Sequence, residues 1–184
     1  MNAKKRIILA FLVLLLVAVA ILFRFGGNCM RSTRVLHKYS RIIEQVDVND
    51  LSLTIYYMSP WILTTFPLSV DGLINHSITE KTIVSGSDLK EHFDLFKQIN
   101  NDVLIPVRRR SPYLNVRLYY VLECRINGRL LDVVMWSSEE NIIVNGVEVK
   151  EHYIFYDIII PFLPESAAEQ WSRWRLDLLG ENIP

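Results

Sequence analysis

The sequence predicts an α+β domain, an antiparallel β-meander with one or two packed helices, preceded by a single transmembrane helix. Three observations carry this. An uninterrupted apolar run, Ile7–Phe23, lies behind a basic tail. Between Leu114 and Ile160 short apolar segments alternate with polar ones and are punctuated by two Asn-Gly pairs, Asn127-Gly128 and Asn145-Gly146. Near the C-terminus apolar residues recur at helical spacing behind two prolines.

The apolar run holds 17 residues with no polar residue, Gly or Pro. At helical rise it spans about 26 Å, the short end of what crosses a bilayer core. Lys4, Lys5 and Arg6 precede it and Arg24 closes it. The chain therefore divides into a basic tail (1–6), a signal anchor (7–23), a basic juxtamembrane stalk (24–43) and an acidic domain (44–184). Cleavage after Ala18-Val19-Ala20 is the competing reading, but it would leave the apolar end Ile21-Leu22-Phe23. Cys29 follows Asn28, not the small residue that lipid modification needs.

Charge follows the same division. Residues 1–43 hold eight Lys or Arg and no acid. Residues 44–184 hold twelve basic and twenty acidic residues, a net charge of −8, so a phosphate backbone would be repelled and nucleic-acid binding is disfavoured. Five basic residues on the stalk side favour a cytoplasmic domain by count. The short charged tail ahead of an apolar run is how export signals look, and it places the domain outside.

Within 31–43, Val35, Leu36, Tyr39, Ile42 and Ile43 mark one helix face. Leu51, Leu53, Ile55 and Tyr57 alternate with polar or smaller residues as in a strand. Trp61–Phe66 is expected as an extended piece, Asp71-Gly72 as a turn, and residues 78–84 as a further strand. Ser87 reads as the cap of a helix presenting Leu89, Phe93, Phe96 and Ile99. Val116 to Ile126 alternates for a full strand, and each Asn-Gly pair predicts a type I′ hairpin turn. Tyr153–Ile160 is apolar apart from Asp157 and is expected as a central strand. Ser166 and Glu169 have capping-box spacing, followed by Ala167, Ala168, Trp171, Trp174 and Leu178 on one helix stripe. Arg173 and Arg175 are offset by Glu169 and Asp177, so core packing of the two tryptophans is the preferred reading over a lipid-binding tail.

The chemistry-bearing residues are sparse. His37, His76, His92 and His152 form no metal-ligand spacing, and no nucleophile elbow, phosphate loop or calcium loop occurs. No catalytic, cofactor-binding or metal-ligating residue is assigned, and no cofactor is expected. Arg108, Arg109 and Arg110, between Pro106 and Pro112, are candidate anion-binding residues, because adjacent guanidinium groups can clamp phosphate or carboxylate. Cys29 and Cys124 are too few for a disulfide framework.

In layout, with Lys4-Lys5-Arg6, the apolar run to Phe23 and a strand-rich domain bearing two Asn-Gly turns, the chain resembles small signal-anchored proteins of unknown function from Gram-positive bacteria. That resemblance implies no site residue. The expected partners are membrane lipid through residues 7–23 and a protein at the acidic domain. A membrane-held binding or accessory module is the leading functional expectation. An immunity- or inhibitor-type protein facing a basic partner, or a hydrolase with an unrecognised site, are its rivals.

Overall fold

A computed structural model describes residues 14–15, 38–100, 102–107, 115–136 and 141–179, excluding the side chains of 178 and 179. The fold is α+β: a six-stranded antiparallel sheet in the order β2-β1-β3-β4-β5-β6, with helices on both faces. The strands are β1 (Leu51–Tyr57), β2 (Glu80–Ser85), β3 (Val116–Cys124), β4 (Gly128–Trp136), β5 (Asn141–Val144) and β6 (Val147–Lys150). Among the described residues no helix is long and apolar enough to cross a membrane. Of the run 7–23, only residues 14 and 15 are described, and these are helical.

The larger core lies on one face of the sheet. It is covered by α1 (residues 38–43), α3 (Ser87–Lys90), α4 (Phe93–Lys97), α5 (Ile154–Asp157) and α6 (Glu165–Leu179). Tyr39 and Ile43 of α1 are buried in it, and the Tyr39 hydroxyl donates to the Phe96 carbonyl at 2.8 Å. The folded unit thus takes in residues 38–43, which the charge division groups with the stalk. On the opposite face a smaller cluster of Met58, Leu73, Val116, Tyr119, Val121, Val134 and Trp136 lies under α2 (Val70–Ile74). That helix is capped by Ser69, whose side chain accepts from the Gly72 amide at 3.0 Å.

β3 is central and covered on both sides, so eight of its nine residues are buried. β1, its neighbour, keeps the alternation of a strand buried mainly on one face. The β3–β4 register slips between Val116/Trp136 and Leu118/Met135, leaving Arg117 without an opposite residue. Such a bulge re-aims a side chain. Here it lets Val116 and Tyr119, three positions apart, share one face of the sheet.

The meander β3–β6 forms as expected, but several local expectations are corrected. Tyr153–Ile160 is not a strand; it is α5 followed by tight turns, with Ile154, Phe155, Tyr156, Ile158 and Ile159 all at most 1% exposed. An apolar run of that length does not distinguish a buried helix from a buried strand. The neighbouring sheet edge is also already taken, since Val107 donates to the Glu148 carbonyl and Lys150 to the Ile105 carbonyl. Asn127-Gly128 is not a type I′ pair. Cys124 faces Gly128 across a three-residue connection, and only Gly128 has a positive φ, +68°. Asn145-Gly146 does make the two-residue turn, with φ of 47° and 75°. The Asn145 side chain also donates to the Leu130 carbonyl and accepts from the Asp132 amide, tying β5 to β4. Residues 61–66 form an irregular loop, Asp71-Gly72 lies inside α2, and the helix expected after Ser87 is two short ones. Gly86, not Ser87, precedes the first of these, with no side-chain cap.

α6 belongs to the core. Trp171 is 1% exposed and packs against the Tyr156 ring at 6.3 Å, while Trp174 is only partly buried. Trp171→Ala should cost about 3–5 kcal/mol, because the neighbouring elements cannot close over an indole-sized void. Denaturant unfolding followed by circular dichroism would register this as a large fall in midpoint. An unchanged midpoint would remove α6 from the core.

Candidate binding surface

From Leu51 to Val70 the chain carries no charged residue. Its first part is β1; the remainder climbs from the end of that strand to α2 as a loop, residues 58–69. Met58 and Pro60 are buried at its base. Beyond them the loop turns its apolar side chains outward: Trp61 is 45% exposed, Phe66 76% and Leu63 96%. Isolated apolar residues at a surface are ordinary, whereas several large ones on one short uncharged loop form a patch.

The loop's shape is set from inside. Arg117, at the β3 bulge, is 1% exposed and is the one buried charged side chain among the described residues. Its Nη1 donates to Asn115 Oδ1 at 2.7 Å and to the Val116 carbonyl at 3.0 Å. Its Nη2 donates to the Ile62 carbonyl at 3.0 Å and to Thr64 Oγ1 at 3.1 Å. Nε has no hydrogen-bond partner among the described residues. No carboxylate pairs with the guanidinium among the described residues. Burial therefore opposes its charge and draws its pKa below the ordinary guanidinium value. Among the described residues its partners are neutral oxygens of the loop, of Asn115 and of β3.

The network continues into the loop. Thr64 Oγ1 donates in turn to the Phe66 carbonyl at 2.8 Å, and the Ile62 amide donates to the Ser59 carbonyl. The Leu68 amide donates to Asn115 Oδ1, the oxygen that Arg117 also holds, and the Val116 amide donates to the Leu68 carbonyl. Trp61 meets Trp174 of α6 edge-on at 6.1 Å. The loop is thus fastened to β3 and α6 while its apolar tips stay free.

A second polar cluster joins α5 to α6. Asp157 pairs with Arg175, and the Tyr156 hydroxyl donates to Glu151. Burial, reinforced by the Glu151 carboxylate, pushes the Tyr156 phenol well above its usual range. His152 Nδ1 accepts from the Ile154 amide at 3.3 Å at the start of α5, and burial holds its pKa below the usual imidazole value against the opposing pull of Asp157. The Asp157–Arg175 pair fastens α5 to α6, and the other two bonds hold the start of α5.

Arg108, Arg109 and Arg110 lie outside the described residues. Of the histidines, His92 packs against the Phe162 ring and His76 sits in a turn, where its Nδ1 accepts from the Ile78 amide; His37 is outside the described residues. No cluster of three or more His, Cys, Asp or Glu that could hold a metal occurs among the described residues. Cys124 is a free, buried thiol. Sequence reading passed over both the exposed loop and Arg117. The signals were the charge-free stretch 51–70 and a lone arginine inside an apolar strand. No protein-family profile matches the chain, and no curated protein or solved structure matches it either.

If Arg117 orders the loop, Arg117→Met should raise amide exchange at Ile62 and Leu68 at least about tenfold, the equivalent of one charged hydrogen bond. Protection in β4 and β5 should change far less. Hydrogen exchange read by NMR or mass spectrometry would show this. Unaltered exchange at both amides would mean that the loop is held by something else.

Proposed function

We propose that this chain is a single-pass membrane protein, anchored by Ile7–Phe23, whose domain stands outside the cytoplasm as a non-catalytic binding module. Its binding surface is the loop 58–69. The observation that carries the reading is Leu63 at 96% and Phe66 at 76% exposure on an uncharged loop that Arg117 fastens from inside through the Ile62 carbonyl and the Thr64 hydroxyl. Apolar side chains displayed on a fixed support suit binding, since little ordering entropy remains to be lost on contact.

The anchor is supported by the length and purity of the apolar run, and the orientation by the short basic tail ahead of it. A binding role is favoured over catalysis because the polar side chains at α5 and α6 are engaged with one another. Asp157 is held by Arg175, and the His152 imidazole accepts from the Ile154 amide.

Alkaline carbonate treatment of membranes should leave the full chain in the pellet with residues 1–23 intact. Protease added to intact cells or protoplasts should remove the domain. A soluble mature form beginning near Ile21, or a domain that stays protected while an external marker is digested, would overturn the reading.

A further inference from the structure

We infer that the loop 59–69 seats in the interface of the same bilayer that holds the N-terminal anchor, with Leu63 and Phe66 below the headgroups and Trp61 at their level. This rests on the anchored reading above.

Three observations select lipid as the occupant. The first is the partial internal pairing of the loop. Hydrocarbon offers no hydrogen bonds, so groups carried deepest must be paired within the protein and those left open must stay among hydrated headgroups. The Ile62 carbonyl and the Thr64 hydroxyl are held by Arg117, the Phe66 carbonyl by Thr64, and the Leu68 amide by Asn115. Among the described residues the backbone of residues 63–65 and the Thr65 hydroxyl are bonded to nothing, so they stay among the hydrated headgroups while the Leu63 and Phe66 side chains pass below. The second is composition. The apolar tips, the tryptophan nearer the body and the absence of any charge between residues 51 and 70 match the depth order of a bilayer interface, where indoles collect at the headgroups.

The third is reach. The chain enters the fold at α1, where Lys38 and Tyr39 border a hollow with Arg129, Asp132 and Asn145, at the hairpin-turn end of the sheet. The loop leaves β1 at the opposite end, beside Leu118. β3, nine residues long, sets this separation at about 30 Å. The fourteen residues 24–37 can extend to roughly 46–50 Å, enough to let the loop return to the bilayer that holds the anchor. The domain is acidic, so the contact draws on apolar area and not on headgroup charge, and salt should not release it.

The test uses the full chain with Cys29→Ser, reconstituted into phosphatidylcholine vesicles. An environment-sensitive fluorophore is placed through Thr65→Cys in one sample. A second carries it through Ile126→Cys, which lies 75% exposed at the opposite end of β3. Flotation is measured on each sample. The label at position 65 should be blue-shifted and quenched by brominated lipid, equally in low and high salt. The label at 126 should stay aqueous. Leu63→Ser with Phe66→Ser should return the label at 65 to its aqueous emission while the chain still floats. If the chain floats but the label at 65 is aqueous throughout, the anchor stands and the loop proposal falls. A chain that does not float removes both. A label at 65 that is aqueous in pure lipid but shielded in native membranes would assign the loop to a protein partner and overturn the lipid assignment.

Discussion

The guanidinium of Arg117 is buried among neutral oxygens, and the surface at the end of the sheet depends on how that charge is accommodated. Removing an arginine from water without a carboxylate partner is costly unless dipoles replace the lost solvation. Two backbone carbonyls, an amide oxygen and a hydroxyl do so, and two of these four belong to the loop 58–69. The loop meets the charge with the Ile62 carbonyl and the Thr64 hydroxyl, and the charge in turn holds those two points of the loop. A lysine could not substitute, because the planar fork reaches β3 with one nitrogen and the loop with the other.

The bulge in β3 makes this arrangement available. An unbroken strand would have set Val116 and Tyr119 on opposite faces; the slip at Arg117 lets both join the smaller cluster beneath α2. β3 is also the strand on which the two cores meet. Tyr120 reaches the helical side, where its hydroxyl donates to the Phe155 carbonyl, while Tyr119 stacks on Tyr56 on the other. The fixed loop is therefore a product of the sheet's centre, although it lies at the sheet's end.

Much of the architecture was legible in the sequence because single-period patterns govern it. β1 alternates cleanly, the meander is marked by its Asn-Gly pairs, and the stripe of α6 did put Trp171 in the core. The failures fall where periodicity carries no information. Residues 153–160 are apolar all round apart from Asp157, and the occupation of the β6 edge by residues 105–107 decides against a strand. At Asn127-Gly128 the turn type depends on which residues face each other, which pairing settles and composition does not. The binding surface was hidden for a related reason. Arg117 occupies an alternating position that normally faces solvent, and its burial comes from a loop more than fifty residues earlier in the chain.

The mutual dependence of Arg117 and the loop is measured most directly by a double-mutant cycle between Arg117→Met and Thr64→Val, read as unfolding free energies. If the guanidinium and the loop hold each other, the two changes should be non-additive, with a coupling of about 1–3 kcal/mol. Additive effects, with a coupling indistinguishable from zero, would mean that the loop keeps its shape without the buried charge.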